Sequence, residues 1–151
     1  MRSNPQPRVL CVDDDEDSRV MLVALLRLAL IEATAVGTAG QALASTQAER
    51  FDLYLLDSRL PDIDGFELCR RLREFDQQTP IVFFSGAAYE ADRKKGIESG
   101  ANAYLIKPDL AGLVSTVTSF VSQPESPTAR IIPFQRKVNS SSPWTFEPTA
   151  A

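Results

Sequence analysis

A chain of 151 residues, 44% of them hydrophobic, is long enough for one domain with a proper core and does not call for a second. The formal net charge of −4 argues against a surface that tracks nucleic-acid phosphates, and the absence of histidine removes imidazole bases, imidazole metal ligands and a phosphohistidine within this sequence. Cys11 in an apolar run and Cys69 in a helical pattern have no metal-ligand spacing and suit reduced packing thiols of a cytoplasmic protein.

Residues 1–7 contain no apolar run, so they read as a short disordered lead-in rather than a signal peptide or membrane anchor. Val9 to Val12 is a continuous apolar stretch, the first strand, and it ends on the acidic run Asp13 to Asp17. Asp17 or Ser18 is placed to cap the helix that follows, whose apolar side is read as Val20, Leu22, Val23, Leu26 and Leu30. With Arg27 inside it, this stretch is too short and too interrupted to cross a bilayer, and no membrane insertion is expected.

Ala33 to Val36 forms a short second strand, and Gly37 to Gly40 turns into a helix over Gln41 to Ala48 with Ala42, Leu43 and Ala44 as its contacts. Leu53 to Leu56 is apolar at every position, the mark of a strand buried on both faces, and stops at Asp57 before the loop formers Pro61, Asp64 and Gly65. The third helix runs from Phe66 to Phe75 with Phe66, Cys69, Leu72 and Phe75 at the inward spacing and Arg70, Arg71 and Arg73 outward. Ile81 to Phe84 is the fourth strand, closing on Ser85-Gly86. The fourth helix, Glu90 to Ser99, is polar, with little beyond Ala91 and Ile97 to hold it, and a weakly held helix is mobile. Ala103 to Ile106 is the fifth strand, ended by Lys107-Pro108, and Asp109 caps a last helix to about Val121.

Strands alternating with helices imply right-handed crossovers and a doubly wound α/β domain: a five-stranded parallel sheet in the order 2-1-3-4-5, covered on both faces. Beyond it, residues 123–151 are rich in Pro and Ser and lack periodicity, which reads as a mainly disordered tail; Ile131, Ile132, Phe134, Trp144 and Phe146 are scattered in it.

All strands of a parallel sheet end along one rim, and the polar residues that end these strands are Asp13 and Asp14, Asp57, Ser85 and Lys107. Each alone reads as a cap, a turn or an ordinary surface residue. Together they bring three carboxylates, a hydroxyl and an ammonium into one crevice. Clustered carboxylates need a cation, and an oxygen-only set suits Mg²⁺ or Mn²⁺. Asp14 and Asp57 are the direct ligands in this reading, Asp13 acts through water, and the backbone carbonyl of Arg59 supplies a further oxygen. Lys107 and Ser85 would then serve a transferring phosphoryl group, with Asp57 free to attack phosphorus.

Val12-Asp13-Asp14-Asp15, Leu56-Asp57 followed by Pro61 and Asp64-Gly65, Ser85-Gly86, and Gly100-Ala101 through Tyr104 to Lys107-Pro108 resemble the receiver domain of two-component response regulators over residues 8–122. The resemblance implies a flavodoxin-like receiver fold, Asp57 as phosphoacceptor, Asp13 and Asp14 as the acidic pair serving Mg²⁺, and Ser85 and Lys107 as phosphoryl-sensing groups. Tyr104 falls at the aromatic switch position, and Arg59 and Ala87 where side chains affect the water that hydrolyses the phosphoryl group. The implied donor is a phosphohistidine on a separate histidine kinase or phosphotransfer protein. Phosphorylation would shift the surface of helix four, strand five and helix five toward a protein partner, with a homodimer through that face as one form of output.

Two other readings compete. Asp13-x-Asp15 after an apolar strand is similar to the first motif of haloacid-dehalogenase-type phosphatases, which would make Asp13 a nucleophile toward external substrates; only Asp109 follows Lys107 within the fold, where that class needs a further acidic pair. A receiver-like module that binds without being phosphorylated is the second. The short tail favours a stand-alone receiver with no external substrate turnover and no direct contact with nucleic acid.

Overall fold

The structure, a computed structural model, describes residues 5–122. Ten elements alternate: β1 (Arg8–Val12), α1 (Glu16–Leu28), β2 (Glu32–Val36), α2 (Ala39–Ala48), β3 (Leu53–Leu56), α3 (Gly65–Phe75), β4 (Ile81–Ser85), α4 (Glu90–Ser99), β5 (Ala103–Ile106) and α5 (Leu110–Val121). The strands form one parallel sheet in the order β2-β1-β3-β4-β5, as the alternation implies. The lead-in up to Asn4 and the Pro/Ser-rich stretch 123–151 lie outside the described residues.

Period-two alternation along each strand divides the core. Leu10, Val12, Tyr54, Leu56, Ile81, Phe83 and Tyr104 face α2 and α3, where Ala39, Ala42, Phe66, Leu68, Cys69 and Leu72 meet them. Val9, Cys11, Leu53, Leu55, Val82, Phe84, Ala103 and Leu105 face α1 and α5, against Leu22, Leu26, Leu113 and Val117. At about 1.5–3 kcal/mol per fully buried large side chain, these two layers are the main favourable term holding the sheet. Cys11 and Cys69 are free and buried, and burial pushes the Cys11 thiol up to about 12 and raises that of Cys69, so both pack as neutral thiols. Among the described residues no helix is long and apolar enough to cross a membrane.

Several sequence expectations are corrected by local geometry. Asp15, rather than Asp17 or Ser18, caps α1: its Oδ2 accepts the Ser18 N–H at 2.8 Å, leaving Glu16 and Asp17 in the first turn. Val20 and Leu30 are not on the inner side of α1; they are 64% and 69% exposed. Leu30 is beyond the helix end, at φ 63°, where its N–H reaches the Arg27 carbonyl and that of Ile31 reaches Leu26. This is a Schellman termination, with Ile31 and Leu26 buried together behind it. The second helix begins two residues earlier than expected, capped by Thr38, and buries Ala39 and Ala42 while Ala44 is exposed. Asp64 and Asp109 cap α3 and α5 through the Glu67 and Gly112 N–H groups.

Candidate functional site

The rim formed by the strand tips gathers the acidic residues first. Asp13 follows β1 and Asp57 follows β3, the two neighbouring strands at the centre of the sheet, and their backbone N–H groups donate to Val36 and Val12. Their side chains are nearly buried, 2% and 8% exposed for the whole residues, whereas Asp14 is exposed at the mouth. Asp13, Asp14 and Asp57 each offer a carboxylate oxygen within 4.8 Å of the others.

Lys107 reaches this group from the tip of β5. Its Nζ donates to Asp13 Oδ2 at 2.8 Å and to Asp57 Oδ2 at 3.0 Å, and it lies 5.9 Å from the centre of the Phe84 ring. Partial burial works to lower the Lys107 pKa, but the hydrogen bonds and charges of Asp13 and Asp57 outweigh it and hold the ammonium above the usual lysine value. One cation against three carboxylates leaves a negative excess. The donor set, all carboxylate oxygen within a few ångströms, fits a hard divalent ion that keeps other positions open. The remaining Asp13 oxygen accepts the Asp15 N–H at 3.0 Å, and Arg19 Nη1 donates to the Asp13 carbonyl at 2.9 Å, so Asp13 is the most firmly fixed of the three.

The loop after Asp57 is shaped by close backbone approach. Gly65 N–H donates to the Ser58 carbonyl at 2.8 Å, and a Cβ at Gly65 would meet the Asp57 carbonyl oxygen and Ser58 Cα; only glycine lets α3 start this close to the tip. Asp62 ties the same loop to α2, accepting the Ala39 and Gly40 N–H groups at 3.0 and 2.8 Å. Those donors hold the Asp62 carboxyl below the usual carboxylate range. Arg59 points outward, with its N–H 3.4 Å from Asp57 Oδ1.

Ser85, at the end of β4, is turned elsewhere. It is 1% exposed, its Oγ lies 2.6 Å from Ser58 Oγ, and it accepts the Ala87 N–H at 3.1 Å. The Ala87 carbonyl in turn accepts the Tyr104 hydroxyl at 2.7 Å. Tyr104 is buried, with its ring stacked on Phe83 at 5.5 Å and seated over Gly96 of α4, where a Cβ would come within 2.7 Å of it. Asp13, Asp14, Asp57 and Lys107 thus form one group, and Ser85, Ala87 and Tyr104 a second, hydrogen-bonded chain beside it.

Sequence reading missed Ser58. Its signal is register: Leu56 pairs with Phe83, and carrying that pairing two residues on sets Ser58 opposite Ser85. It also missed Arg73, taken as outward-facing. Arg73 folds back to donate to the carbonyls of Asp76, Thr79 and Gly100 and to Asn102 Oδ1, which ties α3 to the end of α4 and the start of β5. The anchors of α4 also differ from expectation: Gly96 and Ser99 are buried and Ala91 is exposed.

Residues 9–118 match the response regulator receiver domain family. This chain belongs to that family. Among relatives of the receiver, the transcriptional regulatory protein PrrA of Mycobacterium tuberculosis is 38% identical over 116 residues, 76% of this chain and 50% of PrrA. The chain thus spans about half the length of the curated relatives it matches. The chemotaxis response regulator CheY4 of Vibrio cholerae has a similar fold, with TM-score 0.71 and 30% identity over 76% of this chain and 98% of that one. So has the receiver domain of the sensor histidine kinase PA1611 of Pseudomonas aeruginosa, solved with magnesium in its active-site cleft: TM-score 0.71, 29% identity, 78% of this chain and 98% of that one. Receiver domains are signalling modules, and the acidic rim described above lies within the matched region.

Proposed function

We propose that residues 8–122 act as a phosphoryl-operated switch in which Asp57 accepts the phosphoryl group. The observation that carries this is the Lys107 ammonium bridging Asp13 and Asp57 inside a trio of carboxylates. An Asp57 carboxylate oxygen attacks phosphorus of a phosphohistidine on a separate kinase or phosphotransfer protein. The O–P bond forms as the P–N bond breaks, and the electron pair returns to the imidazole nitrogen. Lys107 offsets charge on the transferred group. Asp14 and Asp57, with Asp13 through water and the Arg59 carbonyl, would hold Mg²⁺ or Mn²⁺; the PA1611 receiver has magnesium in its active-site cleft. Bound there, the ion would neutralise the carboxylates and phosphoryl oxygens.

The aspartyl phosphate carries about two negative charges at pH 7 where the Asp57 carboxylate carried one. Ser85 turns its hydroxyl from Ser58 toward a phosphoryl oxygen, the Ala87 segment follows, and the Tyr104 rotamer answers Ser85 through that segment. The surface of α4, β5 and α5 is then presented differently to a protein partner, a second copy included. Arg59 and Ala87 flank the path of the hydrolytic water and set phosphoryl lifetime. Output runs through protein contacts.

Incubation with acetyl phosphate and Mg²⁺, read by intact mass, is expected to add one phosphoryl increment to wild type and none to Asp57→Asn. An increment that persists in Asp57→Asn and disappears in Asp13→Asn would overturn the assignment in favour of an Asp13 nucleophile.

A further inference from the structure

To bond a phosphoryl group on Asp57, Ser85 has to turn its hydroxyl away from where it now sits. Its hydroxyl is buried at 1% exposure, its Oγ accepts the Ala87 N–H, and at 2.6 Å from Ser58 Oγ it shares one proton with a side chain that is itself 3% exposed. Two hydroxyls this close and this dry form a bond with no water to replace it; among the described residues only the Tyr104 hydroxyl borders both, and it already donates to the Ala87 carbonyl. Ser58 lies on the β3 tip, next to Asp57 and fixed by the Gly65 N–H on its carbonyl, so it does not move with the β4–α4 loop. We propose that Ser58 is a positioning residue that holds Ser85 in the resting arrangement and competes with the phosphoryl group for the Ser85 hydroxyl.

The consequence is a set point. The Ser58–Ser85 bond exists only in the resting arrangement, so it favours that arrangement over the one in which Ser85 faces phosphorus. Through the Ala87 N–H on Ser85 and the Tyr104 hydroxyl on the Ala87 carbonyl, the same bond also steadies Tyr104 over Gly96. Ser58→Ala removes the competitor while leaving Asp57, Lys107 and the acidic pair in place. This inference rests on the proposed role of Asp57 for its ligand-bound half, and on the geometry alone for its resting half.

Two measurements separate the halves. In the unliganded protein, Ser58→Ala is expected to speed hydrogen exchange at the Ala87 N–H roughly fivefold, the worth of one ordinary hydrogen bond, with amides of β1 and β3 unchanged. In titrations with beryllofluoride and Mg²⁺, followed by NMR, Ser58→Ala is expected to bind roughly fivefold more tightly than wild type. The gain should vanish when Ser85→Ala is the background, because there no Ser85 hydroxyl is left to compete for. An unchanged Ala87 amide in Ser58→Ala overturns the resting contact. An equal affinity gain with and without Ser85 overturns the competition. If wild type and Ser58→Ala alike fail to take beryllofluoride while Ala87 exchange rises as stated, the resting contact stands and the Asp57 reading fails.

Discussion

The third and fourth helices occupy equivalent places in the winding, each following a strand whose tip carries a polar group of the site, Asp57 before α3 and Ser85 before α4. They are held differently. The third buries Gly65, Phe66, Leu68, Cys69 and Leu72 against the sheet, begins on the Asp64 cap and ends in the Asp76 and Arg73 networks. The fourth buries only Gly96 and Ser99, and its first residues are exposed. Helix burial decides which tip is fixed and which can answer: Asp57 stands on the fixed one, Ser85 on the other.

The contrast breaks first at Leu72, which is 0% exposed in α3. Leu72→Ala is expected to cost about 2–5 kcal/mol of unfolding free energy by the transfer and cavity terms of a core leucine. Ile97→Ala, at the half-buried apolar position of α4, is expected to cost less than about 1.5 kcal/mol. Urea unfolding of the two variants checks the difference, and equal losses would remove the distinction between the helices.

A subtler cut is Gly96→Ala. Alanine favours a helix interior over glycine by about 1 kcal/mol, but here its Cβ would come 2.7 Å from the Tyr104 ring and 3.2 Å from Phe83. The variant is expected to fold with α4 intact and with Tyr104 displaced from its seat, seen as a shifted Tyr104 ring resonance. A Tyr104 resonance like that of wild type would show that α4 itself gives way.

The smallest effect concerns acid. Partial burial works to raise the Asp76 pKa, but hydrogen bonds from Thr79, Tyr54 and Gln78 prevail and lower it to about 2. Since the folded value lies below the ordinary 3.8, the stabilisation is present above that value and is lost as pH falls toward 2. Protection of the Thr79 N–H, corrected for the intrinsic pH dependence of exchange, is expected to fall over this window in wild type, and in Asp76→Ala to be low already at neutral pH with the acid step gone.

Much of this was legible because chain order and strand ends carry it. Runs such as Leu53 to Leu56 name their own burial, and the abrupt polar residue after each run names the rim. What escaped the reading has a physical pattern. Val20 and Leu30 are apolar but sit outside the packed stripe, since composition counts hydrophobes while the helix axis and its Schellman end decide direction. Arg73 has helical spacing for solvent, yet its long stem carries the guanidinium back to carbonyls at the neighbouring helix end. Ser58 looked like the first loop residue, and only strand register reveals the hydroxyl across from it.

Arg73 has one more effect. By holding the Gly100 carbonyl and Asn102, with Cys69 Sγ donating to the Ser99 carbonyl at 3.4 Å, it moors the far end of α4 to α3, whereas Tyr89 at the near end bonds only within its own first turn among the described residues. A rod tethered at one end pivots; it does not slide. Whatever disturbs the segment after Ser85 therefore swings the Tyr89 end through the widest arc, and a partner that reads this helix gains most by gripping it there.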